Sequence, residues 1–224
     1  MSKVLQFSGG LDSLACLHFL RNEKGLIVLT LSTDGQYPSR RDYLNKVKDA
    51  HPHLEFVEWY GDRQIHKYGH PVDVIPIKFT TIGKIIQGGE VRYQPYTECC
   101  NRGIWLPMAD TTRKLGATEV YRGQRDSDEY KSPIRHGHVE EGITYYFPIQ
   151  EWSREQVKEY VWANCPDLIP DYYNSELTSQ DCWDCTAYLK DNIRRIKNLP
   201  EPQKNVVENV LRQWRKDIDE ETRW

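Results

Sequence analysis

The chain has 224 residues, a formal net charge of −3 and 38% hydrophobic residues. That length suits one sizeable domain, or one with a small appendage, and is enough to bury most of its apolar surface. The near-neutral balance, with a sequence pI near 6.2, excludes a whole-protein pull toward nucleic acid, and a mean hydropathy of −0.74 without a membrane-length apolar run argues against a membrane span. The chain enters a strand almost at once, with no basic–apolar–small leader, so the expected location is the cytoplasm. In that reducing setting its six cysteines read as ligands, nucleophiles or core residues rather than disulfides.

The elements follow in order. Val4–Phe7 is a short buried strand, and Leu11–Arg21 a helix with Leu14, Leu17, His18 and Leu20 on one side. Gly25–Ser32, "GLIVLTLS", is a continuous apolar run rich in β-branched residues, of the kind covered on both faces of a parallel sheet. Pro38 and Ser39 start a second helix, and Leu54–Trp59 is a third strand. Gly61–Thr97 is irregular and rich in Tyr, Gly and Pro, which suggests a functional loop region. Arg102–Leu115 reads as helix despite Pro107; Thr118–Gly123 and Thr144–Ile149 read as strands; Ser153 and Gln156 form a capping box. Val206, Val207, Val210, Leu211, Trp214 and Ile218 mark one stripe of a last helix over Pro202–Asp219. The order β-α-β-α-β predicts an α/β fold: a five-stranded, mainly parallel, Rossmann-like sheet flanked by helices, with residues 1–190 as the main domain and 191–224 as a C-terminal helical segment.

Between the first strand and helix stands "SGGLDS", Ser8–Ser13. Ligands of open α/β sheets bind beyond the carboxyl ends of the strands. Gly9 and Gly10 allow positive φ and remove Cβ atoms that would block an anion. Successive N–H groups there form a nest at the positive end of the helix. Ser8 and Ser13 add hydroxyls, and Asp12 would cap the helix or hold a metal ion beside phosphates. Neither the mononucleotide P-loop nor the dinucleotide fingerprint is present.

This turn resembles the pyrophosphate loop of the PP-loop ATP pyrophosphatases. That resemblance implies cleavage of ATP, with Mg, to AMP and pyrophosphate. Ser8, Gly9, Gly10, Asp12 and Ser13 would cradle the β- and γ-phosphates, and Asp34 of "LSTDGQYP" would lie near the nucleoside.

Four cysteines fall in two pairs, Cys99-Cys100 and Cys182-x-x-Cys185. Four thiolates suggest a metal centre. Adjacent cysteines converge poorly on one tetrahedral zinc, whereas a cubane presents irons at separate corners, which favours [4Fe–4S] over Zn. The spacing is similar to the cluster motif of assimilatory adenylyl-sulfate reductases, in the phosphoadenosine phosphosulfate (PAPS) reductase family of the PP-loop superfamily. "GQRDSDEYKSPIR" and "FPIQEWSREQVKEYV" resemble further segments of that family in matching order. The resemblance spans roughly residues 3–190. It implies that Gly123, Arg125 and Arg135 contact the anionic end of the nucleotide.

Two departures matter. The reductases carry a catalytic cysteine in a C-terminal tail, and no cysteine follows Cys185 here. Their first loop has drifted from the ATP-cleaving consensus, whereas "SGGLDS" is intact; a basic residue common after the cysteine pair is Ile104 here. These favour ATP itself as ligand, as in the sulfur-inserting enzymes of tRNA and of DNA phosphorothioation. The leading expectation is therefore a nucleotidyl-activating transferase acting on an acceptor substrate, with a thiol or sulfur-donor protein as partner. The alternatives are a PAPS- or adenylyl-sulfate-reductase-like oxidoreductase using an external thiol, and a non-enzymatic nucleotide-binding module with a structural cluster. Of the remaining residues, Arg122, Lys131, His136 and His138 could extend a cationic wall. His66 and His70 have a metal-pair spacing that Gly69 and Pro71 interrupt, and Cys165 reads as a packed thiol.

Overall fold

The structure, a computed structural model, describes residues 2–128, 134–174 and 182–222. In chain order its strands are β1 (Ser2–Phe7), β2 (Leu26–Thr33), β3 (Glu55–Gly61), β4 (His70–Val72), β5 (Tyr93–Pro95), β6 (Ala117–Tyr121), β7 (Val139–Glu140) and β8 (Ile143–Tyr146). Two compact units interleave along the chain. The first comprises Met1–Ser32, Pro38–Tyr60 and Pro107–Gln180; the second comprises Thr33–Tyr37, Gly61–Leu106 and Asp181–Trp224.

A six-stranded sheet in the order β3-β2-β1-β6-β8-β7 organises the first unit. β1 runs parallel to both β2 and β6, and β6 parallel to β8. The apolar runs met in the sequence are these inner strands: Val4, Leu5, Phe7, Val28 and Leu29 are all fully buried. The mainly parallel sheet therefore stands as expected, with one strand more. The extra strand, β7, pairs antiparallel with β8 through a two-residue turn in which Glu141 and Gly142 both adopt positive φ, the geometry of a tight hairpin. Two residues carry no periodicity, so nothing in the sequence announced it.

Helix Leu11–Leu20 follows β1 and is buried over most of its surface, because "LACLHFL" is apolar nearly all round. It packs with helix Arg154–Asn164 in a cluster that includes Leu14, Leu17, Val157 and Val161. The capping box that starts the latter is present: Ser153 Oγ accepts from Gln156 N at 3.2 Å, and Gln156 Oε1 accepts from Ser153 N at 2.7 Å. Helix Pro38–Ala50 opens on its proline, as the sequence predicts.

The second unit holds the stretch read as irregular. Three-residue strands β4 and β5 pair in parallel there, and Thr80 caps a short helix, Thr81–Gln87. Helical structure around the cysteine pair begins earlier than expected: Tyr96–Cys100 is α-helical, Asn101–Trp105 is a π-helical turn, and Leu106–Lys114 continues as α-helix. Pro107 lacks an N–H, so a regular helix would lose a bond there; the wider turn, with Leu106 N donating to Asn101 O, absorbs the mismatch. The final helix, Glu201–Glu221, seats Val207 and Leu211 in one cluster and Trp214 in another, with Trp214 Nε1 donating to Val74 O at 2.8 Å. Asp217, 1% exposed, accepts hydrogen bonds from Arg92, Tyr93 and Gln213.

Candidate functional site

In the first unit the chain leaves β1 for β2 and β3 on one side, and returns through β6 and β8 on the other. The strand order thus reverses between β1 and β6, the place where open α/β sheets bind ligands. Ser8–Ser13 lies there, at the carboxyl end of β1. Only Gly9 uses the left-handed region, at φ +84°; Gly10 is the N-cap residue in extended conformation, at φ −80° and ψ 167°. No side chain caps this helix, so Asp12 is not its cap. Instead the Asp12 carboxylate forms an ion pair with Arg125 Nε at 2.8 Å, and Arg125 forms a second with Asp128 at 2.7 Å. Burial pushes the Asp12 carboxyl above its ordinary range, against the pull of Arg125.

Just past β6, Gly123 comes so close that a Cβ would lie 2.7 Å from Asp12 C and 2.8 Å from Ser13 N. A side chain there would push the start of the helix away. Over the other side of the turn, Arg40 donates to Ser8 O and to Leu31 O, and its Nη1 is 3.0 Å from where a Gly9 Cβ would stand. The Tyr43 ring edge is 3.3 Å from the same point, and its buried hydroxyl finds no hydrogen-bond partner among the described residues. Tyr172 and Tyr173 reach the turn from a short helical turn, Asp171–Asn174. Arg40, Tyr43, Tyr172 and Tyr173 were not visible as site residues in the sequence; the only signal was a basic helix start just after the second strand.

The structure therefore gathers Ser8, Gly9, Gly10, Asp12, Ser13, Gly123 and Arg125 at one place. Arg135 lies in an exposed turn before β7, and Lys131 falls outside the described residues. Arg122 is spent below the turn: its Nε donates to Gln6 Oε1 at 2.8 Å, and burial lowers its pKa.

The second unit holds all four paired cysteines. Cys99, 3% exposed, and Cys100 close the short helix Tyr96–Cys100; Cys100, Cys182 and Cys185 are half-buried. Cys182 Sγ is 3.3 Å from Thr33 Oγ1. Burial pushes the Cys99 thiol up to about 12; Arg63 opposes that, and Cys100 and Cys182 are near enough to add to it. Among the described residues, no three His, Cys, Asp or Glu side chains are placed to hold a metal ion. His66 lies in the short helix Ile65–Tyr68 and His70 opens β4, so one helix face does not carry both. Cys165 is buried in the same core cluster of the first unit as Cys16, its thiol pushed up to about 11 by burial, as befits packing.

Arg63 is the feature that the sequence hid. Its side chain is 2% exposed, yet it carries a charge between two cysteine segments. Nη1 and Nη2 donate to the two oxygens of Asp184, at 2.7 and 2.9 Å, inside Cys182-Trp-Asp-Cys185. Nε donates to Asp34 at 2.9 Å. A Cβ at Gly35 would collide with the guanidinium, and one at Gly103, just past the cysteine pair, with the aliphatic stem. Trp183 N also donates to Gly35 O at 2.9 Å. Asp34, expected beside a nucleoside, thus anchors Arg63. Burial works against the guanidinium charge, but Asp184, Cys182 and Asp34 outweigh it and raise its pKa.

A mainly parallel α/β sheet with a glycine turn at its switch point defines an open α/β fold of the class that binds ligands beyond the carboxyl ends of its strands. The model of the phosphoadenosine phosphosulfate reductase domain matches residues 2–188, and the chain belongs to that family. Among solved structures it is similar to phosphoadenylyl-sulfate (PAPS) reductase from Candida auris in a phosphate complex. Identity is 19%, the TM-score is 0.51, and 82% of each chain is covered, so the likeness is one of fold. No curated protein matches the chain.

Proposed function

We propose that the chain binds an adenine nucleotide by its phosphates at Ser8–Ser13 and cleaves ATP to AMP and pyrophosphate, activating an acceptor for sulfur transfer. The observation that carries this reading is a turn of consecutive N–H groups at the carboxyl end of β1, backed by the start of a helix. In such a reaction the acceptor's nucleophile bonds to the α-phosphorus, the bond to the β-phosphate oxygen breaks, and pyrophosphate departs with the electron pair; a sulfur nucleophile then bonds to the activated acceptor and AMP leaves with the electron pair. Charge grows on the leaving group, and fixed N–H donors at a helix start stabilise it without having to reorient. Arg40, above the turn, adds a cation on the same side. Arg125 orients Asp12. Mg²⁺, when bound, would neutralise phosphate charge, and Asp12 would be the carboxylate to hold it.

For the second unit we propose a [4Fe–4S] centre on Cys99, Cys100, Cys182 and Cys185, with zinc as the alternative. In donor chemistry and in sharing one compact unit the four thiols fit a cluster, whose ligands bind separate irons, better than a single ion. The cluster would supply a site for sulfur or an electron. Anaerobically purified protein should then contain iron and acid-labile sulfide, about four of each per chain; one zinc without sulfide would replace the cluster by zinc.

A second reading is reduction of a sulfonucleotide by an external thiol, favoured by the family model over residues 2–188. Gly10→Val tests the cradle common to both. The Gly10 backbone, at φ −80° and ψ 167°, is one valine adopts readily, so the sheet should fold. Affinity for ATP and pyrophosphate should fall at least tenfold. Unchanged affinity for both would reduce the turn to a connector.

A further inference from the structure

Three consecutive backbone N–H groups of the turn each point at a hydroxyl oxygen. Gly9 N donates to Ser13 Oγ at 3.1 Å, Gly10 N to Ser8 Oγ at 3.4 Å, and Leu11 N to Tyr173 Oη at 3.2 Å. Two of these acceptors belong to the turn. The third comes from a residue 162 positions downstream. Its neighbour Tyr172 meets the turn at another atom, donating its own hydroxyl to Gly9 O at 3.3 Å, and also hydrogen-bonds the Tyr173 hydroxyl.

Tyr173 is 5% exposed, with its ring in the core cluster that contains Leu11 and Leu14. Burial raises its pKa despite the Leu11 N–H, so the phenol is neutral. A neutral oxygen at the first N–H of a helix is a weak acceptor compared with an anionic one. Hydrogen bonds to a charged phosphate oxygen are about twice as strong as neutral ones. The hydroxyl therefore satisfies a donor that would otherwise be buried and unpaired, and yields it to a phosphate.

We propose that Tyr173 is a positioning residue that holds the Leu11 N–H as a stand-in for a phosphate oxygen, and that the bound phosphate displaces its hydroxyl. This rests on the reading of Ser8–Ser13 as a phosphate cradle. It gives the turn a selective step: an uncharged ligand cannot displace the hydroxyl, whereas an anionic oxygen can. Ser8 and Ser13 differ from Tyr173 in that they stay within the turn and can re-donate to the ligand.

A merely structural tyrosine and a stand-in predict opposite signs. Tyr173→Phe keeps the ring packing and removes the competing acceptor. The net worth of such a hydrogen bond corresponds to roughly a 2- to 10-fold change in equilibrium. The test is calorimetric titration of the full chain with inorganic pyrophosphate, for wild type, Tyr173→Phe and Tyr172→Phe. The expected result is 2- to 10-fold tighter binding by Tyr173→Phe and no tightening by Tyr172→Phe. Unchanged or weaker binding by Tyr173→Phe, with wild-type binding intact, overturns the stand-in role and leaves the cradle standing. No binding by wild type removes the cradle and the proposal together. Should Tyr173→Phe fail to fold, the wild-type tyrosine absorbance decides: saturation with pyrophosphate must perturb it, and an unperturbed spectrum overturns the proposal.

Discussion

Replacing Arg63 by Met should be among the most damaging single changes in the second unit. The side chain is 2% exposed and makes three charge-assisted hydrogen bonds, two to Asp184 and one to Asp34. The partners differ in exposure: the Asp184 side chain is 14% exposed, that of Asp34 45%. Water can take over from Arg63 at Asp34, so that half of the loss is small. At Asp184 it cannot, and breaking a buried pair by removing one partner costs about 3–5 kcal/mol. With a urea slope of about 1–3 kcal/mol per M, the unfolding midpoint should drop by roughly 1–5 M. Arg63→Lys should recover little, because an ammonium cannot span both oxygens of Asp184. Adding Asp184→Asn to Arg63→Met should recover part of the loss by removing the stranded charge. The assay is urea unfolding followed by circular dichroism, read as a double-mutant cycle. A cost below about 1 kcal/mol for Arg63→Met, or no recovery in the double variant, would refute the buried-clamp reasoning.

Asp12→Asn should stabilise the protein at pH 7 while lowering nucleotide turnover. Burial raises the folded pKa of Asp12, so its contribution is most favourable below the unfolded value of about 3.9 and is lost as pH rises through the folded pKa. The advantage of Asn should therefore shrink as pH approaches about 4, and an Asn variant less stable at pH 7 would show that Arg125 outweighs burial. Asp217→Ala should cost about 2–3 kcal/mol, because Tyr93 and Arg92 lose their shared acceptor. Burial pushes the Asp217 carboxyl up, but Tyr93, Gln213 and Arg92 hold it below the usual range, so its stability is present above about pH 3.9 and is lost as pH falls through the depressed value; Asp217→Asn should flatten that part of the acid limb of a thermal-unfolding profile. Ser153→Ala should cost about 1 kcal/mol through the lost helix cap and leave pyrophosphate affinity unchanged.

Much of the first unit could be read from the chain because its signals are local. The inner strands are unbroken apolar runs, the glycine turn interrupts them at one point, and Ser153 with Gln156 closes a capping box three residues apart. The cysteine pairs were legible as a set by spacing alone. Arg63 was not, because a charged residue in "GDRQ" looks like any solvated loop, and its burial follows from Asp184 and Asp34, 121 and 29 positions away. Tyr173 was hidden for the same reason. One reading of Asp12 as a cap failed because Gly10 occupies the N-cap position, which leaves the carboxylate inside the first turn facing Arg125. The π-helical turn after Cys100 arises from a proline whose effect depends on how the neighbouring turn can widen.

The chemistry of the site turns on which bond of which nucleotide is broken at Ser8–Ser13. The direct measurement is product analysis by phosphorus NMR after incubating anaerobically purified protein with Mg²⁺ and ATP, beside parallel samples of adenylyl sulfate and PAPS with a dithiol. AMP and pyrophosphate should form from ATP, with water taking the acceptor's place at the α-phosphorus, and Gly10→Val should abolish both. Sulfite release from a sulfonucleotide, with ATP recovered intact, would contradict it.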